Sequence, residues 1–110
     1  MLVGELAEKA GWAVVNPEVS LEREITAGCC CDLLSWVIAA GEPGIAWVTV
    51  RTHMNVVAVA SLREVACIIL AGGNTMPGEV LQKASQEGIP VLATRATSYE
   101  ACRVMALMGI

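Results

Sequence analysis

The sequence predicts an α/β fold, a single three-layer domain over residues 1–110 with a mostly parallel sheet between two layers of helices. Three short, almost continuous apolar runs in the second half of the chain are typical of strands buried on both faces of a sheet. Segments with helical periodicity alternate with these runs, as crossover connections require. Hydrophobic residues make up 55% of the chain and charged residues 16%, so we expect one dense core and exclude disorder.

The N-terminal elements follow from periodicity and turn residues. Apolar residues recur at every fourth position from Leu2 to Ala10, which predicts a short amphipathic helix that ends at Gly11. Residues 12–15 then form a strand candidate that ends at an Asn-Pro turn, and residues 25–31 form a second extended candidate. These assignments place two strands ahead of the apolar runs.

A helix over residues 33–40 follows, and Asp32 is its expected N-cap because a carboxylate can accept hydrogen bonds from the free amides of a first turn. The Gly-Glu-Pro-Gly sequence at residues 41–44 ends this segment.

The three apolar runs span residues 45–50, 66–71 and 89–93. Between the first two, residues 55–60 are rich in valine and would suit a strand by propensity, but the alternation and the loop before them favour a buried helix. A helical face with Val80 and Ala84 follows the second run, and a capping-box sequence at residues 97–100 begins the last helix.

Polar loops follow each of the three apolar runs. In a parallel sheet these loops meet at the carboxyl ends of the strands, where ligands usually bind. Small residues permit close backbone approach there, and two arginines can pair with an anion. We therefore expect a phosphate-bearing metabolite or nucleotide to bind, and the alternative is that these residues only form turns and caps. The candidate ligand-binding residues are Arg51, Thr52, His53, Asn55, Gly72, Gly73, Asn74, Thr75, Thr94, Arg95 and Thr97.

Charge and motif content exclude several classes of function. A net charge of −4 and an isoelectric point near 4.8 argue against nucleic-acid binding, which needs a basic face. The only lysines are Lys9 and Lys83, so no P-loop is present, and no G-x-G-x-x-G fingerprint occurs. We expect no cofactor.

The N-terminus lacks the basic and apolar regions of an export signal, and no uncharged stretch reaches the ~18 residues that a membrane span needs. The five cysteines do not have disulfide-framework spacing. We therefore expect a cytoplasmic protein that has no contact with a membrane.

Two constellations leave other functions open. His53, the sole histidine, could act as a general base with a cysteine nucleophile in a small transferase or hydrolase, although a loop or capping role is the more common one. Cys29, Cys30 and Cys31 could form a metal or redox module, but adjacent side chains on an extended segment point to opposite faces. We therefore favour core packing for the cysteines, with no metal site and no catalysis.

The apolar excess suggests that part of the surface faces another protein. Trp12, Trp36 and Trp47 are expected core or interface anchors, because an exposed tryptophan is typical of an interface. We expect a homo-oligomer, with a dimer favoured, and leave a further, unidentified protein partner open.

Four stretches of the chain together resemble the DRTGG domain family, which is related to the N-terminal domain of bacterial HPr serine kinase/phosphorylase. They are Asp-Leu-Leu-Ser at residues 32–35, Trp-Val-Thr-Val-Arg-Thr-His-Met-Asn-Val-Val-Ala-Val-Ala at residues 47–60, Ile-Ile-Leu-Ala-Gly-Gly at residues 68–73 and Ile-Pro-Val-Leu-Ala-Thr at residues 89–94. The Asp-Arg-Thr-Gly-Gly string that names the family is absent.

The resemblance implies a three-layer α/β domain like that of the kinase N-terminal domain and of the N-domain of MurF-like ligases. It also implies a non-catalytic regulatory or oligomerising module that senses a ligand, most plausibly an adenine nucleotide. The P-loop kinase domain of the family's kinases is not in this chain, so the resemblance implies no kinase activity.

Overall fold

A computed structural model describes residues 1–110 of the chain. Its strands, in chain order, are β1 (Ala13–Val14), β2 (Ala27–Cys30), β3 (Ile45–Thr49), β4 (Cys67–Leu70) and β5 (Val91–Ala93). Its helices are α1 (Val3–Ala10), α2 (Leu34–Ala40), α3 (Met54–Leu62), α4 (Gly78–Gln86) and α5 (Ser98–Leu107). None of these helices combines the length and the apolar character that crossing a lipid bilayer would need.

The strands form one sheet in the order β1-β5-β4-β3-β2. Strands β2 to β5 are all parallel, and only β1 is antiparallel, paired to β5 with Ala13 opposite Ala93. The mostly parallel α/β fold predicted from the sequence is therefore confirmed. The predicted strands are present but shorter than expected, because ladder pairing covers only residues 45–49, 67–70 and 91–93 of the three apolar runs.

Successive crossovers explain the layers. Strands β2 to β5 are neighbours in chain order, so crossovers of one hand place α2, α3 and α4 on the same face of the sheet. That face holds a cluster of 15 buried residues around Trp47, which is fully buried. Helices α1 and α5 cover the opposite face, where a second cluster of 13 buried residues includes Leu6 and Met105. Two separate cores thus hold the three layers together.

The valine-rich segment forms helix α3, as favoured from the sequence. Val56, Val57 and Val59 are buried against the sheet, and the His53 ring nitrogen Nδ1 accepts a hydrogen bond from the Asn55 amide at 3.1 Å. A capped first turn and burial of the apolar face together outweigh the strand propensity of valine.

Candidate functional site

The three polar loops lie together at one end of the sheet, because β3, β4 and β5 are parallel and their carboxyl ends are on the same side. The β3 loop and the β4 loop are joined by a hydrogen bond from the Ala71 amide to the Thr49 carbonyl at 3.1 Å. The β4 loop and the β5 loop are joined by the amides of Gly72 and Gly73. We call these three loops at the carboxyl ends of the strands the loop rim.

A shallow cavity of about 290 Å³ lies at the β4 and β5 end of the loop rim. Five of the residues predicted from the sequence border it: Gly73, Asn74, Thr75, Thr94 and Arg95. Ala13 and Ala93, which pair across β1 and β5, complete the wall. The cavity therefore lies where the antiparallel strand joins the parallel sheet.

Gly72 and Gly73 of the loop rim have a structural role. Both have positive φ, 71° at Gly72 and 74° at Gly73, a conformation that side chains with a Cβ seldom adopt. This backbone conformation directs their amides toward the β5 loop. Gly72 donates to the Ala96 carbonyl at 2.7 Å, and Gly73 donates to the Thr94 carbonyl at 2.9 Å. These amides hold two loops together and are not free to cradle an anion.

Side chains supply the available donors of this cavity. Arg95 is exposed, and its guanidinium makes no hydrogen bond or ion pair within the chain. Asn74 uses its amide nitrogen once, toward the Ala71 carbonyl at 2.8 Å. The Thr94 hydroxyl accepts from the Ala96 amide at 3.0 Å and so shapes the loop that carries Arg95. The cavity is therefore lined by a free cation and by amide and hydroxyl groups.

The β3 loop residues lie elsewhere on the rim. Arg51, Thr52, His53 and Asn55 follow β3, one strand beyond β4, and none of them borders the cavity. Arg51 donates to the Asp32 carbonyl at 3.2 Å. His53 serves as the N-cap of α3, and no carboxylate orients its ring. The structure thus gives His53 the capping role.

The predicted role of Asp32 as an N-cap is wrong. Helix α2 begins at Leu34 with Leu33 as its N-cap and without a side-chain cap. The Asp32 carboxylate instead accepts from the Thr49 hydroxyl at 2.7 Å and from the Val50 amide at 3.0 Å. Pairing of β2 with β3 brings Asp32 to the end of β3, where it fixes the start of the Arg51 loop.

Thr97 is the N-cap of α5 and does not border the cavity. Its hydroxyl accepts from the Glu100 amide at 3.1 Å, and the Glu100 carboxylate accepts from the Thr97 amide at 3.2 Å. Hydrogen bonds from the Thr97 backbone and then from its side chain lower the pKa of Glu100. The predicted capping box is therefore confirmed, and it fixes the end of the β5 loop.

The three adjacent cysteines differ from the expected core packing. Cys29 and Cys31 are half-buried and contact the cluster around Trp47, whereas Cys30 is exposed. Strand β2 lies at the edge of the sheet, so the layers cover it less than a central strand. No three Cys, His, Asp or Glu side chains are grouped so that they could hold a metal ion.

An apolar surface surrounds the outer edge of β2. Ala27, Gly28 and Cys30 are exposed, and a cavity of about 350 Å³ separates the strand from Trp36 and Ala40 of α2. Trp36 is 53% exposed, and α2 buries only Val37. We call Ala27–Cys30 together with Trp36 and Ala40 the β2 edge surface. The sequence singled out Trp36 as a core or interface residue, and its exposure fits the second alternative.

Sequence reasoning missed Ala13 as a wall of the rim cavity. The sequence predicts a strand at residues 12–15, but nothing in the pattern of these residues specifies antiparallel pairing with β5. The Asn-Pro turn after them was the available signal: the buried Asn16 side chain binds the backbone at Ile89 and Val91, which fixes β1 beside β5.

Comparison with known proteins agrees with this fold. The family model of the DRTGG domain matches residues 42–108, which is more than half of the chain. A crystal structure of the CBS and DRTGG domains of the regulatory region of Clostridium perfringens pyrophosphatase, complexed with the activator diadenosine tetraphosphate, is similar with a TM-score of 0.73 and 16% sequence identity. The match covers 93% of this chain and 44% of that one, so this chain spans less than half of its length.

No curated protein matches the chain. The resemblance seen in the sequence rests on stretches such as residues 47–60 and 68–73, and both lie inside the matched region. The matched region contains β3, β4 and β5, three of the four parallel strands, together with α3, α4 and α5, and β2 precedes it. The chain belongs to the DRTGG domain family.

Proposed function

We propose that this chain is a regulatory module that binds a phosphate-bearing small molecule at the loop rim and carries out no chemistry of its own. The observation that carries the proposal is the rim cavity beside Arg95, a cation with no partner in the chain. Such a guanidinium can form paired hydrogen bonds to a phosphate, which are among the strongest in proteins. In a chain with net charge −4, an unpaired arginine at a cavity favours an anionic ligand.

The rim has room for more than a phosphate. Neighbouring strands are about 4.8 Å apart, so β3 and β5 are separated by roughly 10 Å across β4. A nucleotide whose phosphates contact Arg95, Asn74 and Thr75 would therefore reach the β3 loop with its other end. Arg51, Thr52, His53 and Asn55 are exposed or half-buried there and offer further polar contacts.

An adenine nucleotide is the ligand we favour. The structurally similar pyrophosphatase regulatory region was crystallised with diadenosine tetraphosphate, a dinucleotide with four phosphates. The same region supports the regulatory role that we propose, since it belongs to a pyrophosphatase whose activator is that nucleotide. The five free cysteines also fit a reducing cytoplasm, where we place the protein.

Thermal unfolding of the chain with AMP, ATP, diadenosine tetraphosphate and inorganic phosphate tests this proposal. At a ligand concentration of about 100 times Kd, binding adds ~2.7 kcal/mol to the free energy of unfolding and raises Tm by several degrees. At the same ligand concentration, Arg95→Ala should reduce this stabilisation to about 1.4 kcal/mol, whereas Arg103→Ala, which changes an exposed arginine of α5, should keep it in full. If none of the four compounds raises Tm, ligand sensing at the rim is wrong.

We also propose that two copies associate through the β2 edge surface. Strand β2 pairs with β3 on one side only, and its outer backbone groups have no strand beside them. An edge strand without charge or proline invites pairing with another strand. A second copy of β2 is the partner that fits, because antiparallel pairing of two identical strands about a twofold axis closes the assembly at a dimer.

The distribution of charge also supports a second copy of the chain as the partner of the β2 edge surface. The chain carries a net charge of −4, yet the strand Ala27–Cys30 contains no charged residue, so the paired strands themselves would add no repulsion, and Glu42 is the one charged residue that borders the adjoining cavity. Trp36 and Ala40 of each copy would then cover the cavity of about 350 Å³ beside the strand. Sedimentation velocity at micromolar concentration tests this, and a monomer at every concentration would refute it.

A further inference from the structure

Two thiols from distant parts of the sequence meet on the α1 and α5 face of β2. Cys30 belongs to β2 and Cys102 to α5, and both line a cavity of about 390 Å³ that also contains Met105 and Ile110. Helix α5 packs against β2 there, and the approach is close enough that a Cβ added at Gly28 would lie 2.9 Å from the Met105 methyl carbon. The Cys102 thiol is one of the groups that raise the pKa of Cys30, which agrees with the two thiols being neighbours in this cavity.

Strand geometry explains why Cys30 is the member of the triplet that reaches α5. Successive side chains of a strand point to opposite faces. Cys29 and Cys31 contact the cluster around Trp47 on the α2, α3 and α4 side, which leaves Cys30 on the other side with Cys102. The fifth cysteine, Cys67, is fully buried in the central strand β4. The chain therefore holds one thiol pair across two elements.

We infer that Cys30 and Cys102 form a two-thiol redox site that a small-molecule disulfide, such as oxidised glutathione, converts to an intramolecular disulfide. One protein thiolate attacks a glutathione sulfur and releases one glutathione thiolate, and the second protein thiolate then attacks the mixed disulfide and releases the other. The two thiol protons pass to the two released thiolates. The protein dithiol is oxidised and the glutathione disulfide is reduced to two glutathione molecules.

The local environment slows the oxidation of this pair near neutral pH. Partial desolvation, followed by the neighbouring Cys102 thiol, raises the pKa of the Cys30 thiol to about 11. Thiolates carry out the exchange, so we expect disulfide formation to accelerate as the pH rises above neutral.

The disulfide would tie an edge strand to the helix that packs on it. The bridge closes a loop that runs from residue 30 to residue 102, and in the chain-entropy model a long loop gives a large stabilisation. Oxidation should therefore raise Tm, and dithiothreitol should restore the original value. The inference concerns the cavity on the α5 side and does not depend on ligand binding at the loop rim.

Titration of the full chain with mixtures of oxidised and reduced glutathione at pH 8 tests the site. After acid quenching and alkylation, digestion without reductant and mass spectrometry should identify one linked pair of peptides that contain Cys30 and Cys102. Cys30→Ser and Cys102→Ser should each remove this link and the rise in Tm, whereas Cys29→Ser should keep both. Far-ultraviolet circular dichroism confirms that each variant is folded.

Three results would overturn the inference. One is that Cys30 and Cys102 remain fully alkylated at the most oxidising ratio in the folded wild-type chain. Another is that Cys30 forms its disulfide with Cys29 or Cys31 within a single peptide, or that the link joins two chains. The third is that Cys29→Ser abolishes the bridge as completely as Cys102→Ser does.

Discussion

The two edges of the sheet are built differently. The edge at β1 is blunted: the strand has two residues, and the buried Asn16 that follows takes over its hydrogen bonds to the neighbouring segment. Its side-chain nitrogen donates to the Ile89 carbonyl at 2.8 Å, and its side-chain oxygen accepts from the Val91 amide at 2.7 Å. The edge at β2 has four residues and no such side chain beside it.

Short strands and prolines are common devices against pairing between chains. The two-residue length of β1 and Pro17 after it provide both devices at that edge, whereas β2 has small, uncharged residues. The difference suggests a division of functions: the blunted edge borders the rim cavity through Ala13, and the open edge is available for a second copy. Helix α5 links them, because it begins beside the Arg95 loop and packs against β2 farther along.

The largest effect we expect is at the blunted edge. Asn16→Ala leaves the Ile89 carbonyl and the Val91 amide buried without their partner, and each unpaired group costs ~1–3 kcal/mol. We expect a loss of about 3 kcal/mol in the free energy of unfolding, measured by urea denaturation. Asn74→Ala is the control, since Asn74 is exposed and donates only to Ala71. Equal losses in the two variants would refute the special role of Asn16.

The second prediction tests the open edge. Ala27→Lys places a charge on each copy of β2 at the proposed twofold interface, where the two ammonium groups repel and must lose water. We expect the dimer dissociation constant to rise at least about tenfold, which corresponds to ~1.4 kcal/mol. Sedimentation equilibrium measures this change.

Ala58→Lys adds the same charge on the exposed side of α3 and should leave association unchanged. Both variants should unfold within ~0.5 kcal/mol of the wild type, because both sites are exposed. If the Ala58→Lys protein dissociates as readily as the Ala27→Lys protein, net charge rather than the β2 edge controls association.

The third prediction asks whether the two edges act independently. Arg95→Ala should weaken nucleotide binding about tenfold, as expected for loss of a charged hydrogen bond worth ~1.5 kcal/mol, and should leave dimer formation unchanged. Ala27→Lys should do the reverse. Isothermal titration calorimetry and sedimentation on both variants measure the four values. A joint loss of binding and association in either variant would show that the two edges are coupled.

The sequence predicts those parts of the molecule that depend on local pattern. Strand β3 is an almost continuous apolar run and is buried at all five positions, and α5 begins at the capping box that the residue types indicate. The position of β1 beside β5 depends instead on Asn16 reaching a strand more than 70 residues away. No periodicity encodes such a contact.

The candidate site shows the same limit. The polar loops could be placed on one rim because parallel strands end together, and five predicted residues meet in one cavity. Whether a backbone amide is free depends on tertiary pairing, and Gly72 and Gly73 use theirs between loops. Asp32 is a comparable case, since its carboxylate had a plausible local partner in α2 and a better one at Thr49. Competition between local and distant partners is decided by packing.

The smallest effect should come from the element that joins the two edges. Thr97→Ala removes the hydroxyl that accepts from the Glu100 amide and should cost about 1 kcal/mol of unfolding free energy. Ser98→Ala is the matched control, because Ser98 is the next residue and its hydroxyl makes no hydrogen bond within the chain. Urea denaturation at neutral pH measures both variants, and equal stabilities would refute the cap.

The pH dependence provides an independent check on this cap. The pKa of Glu100 is lowered in the folded chain, so its carboxylate stabilises the fold above its ordinary pKa of 4.5, and this stabilisation is lost as the pH falls through the lowered value. In Thr97→Ala the alanine amide can still donate to Glu100, but the threonine hydroxyl no longer helps to lower the pKa. The variant should therefore lose stability less steeply than the wild type below pH 4.5, and parallel pH profiles would show that Thr97 and Glu100 act independently.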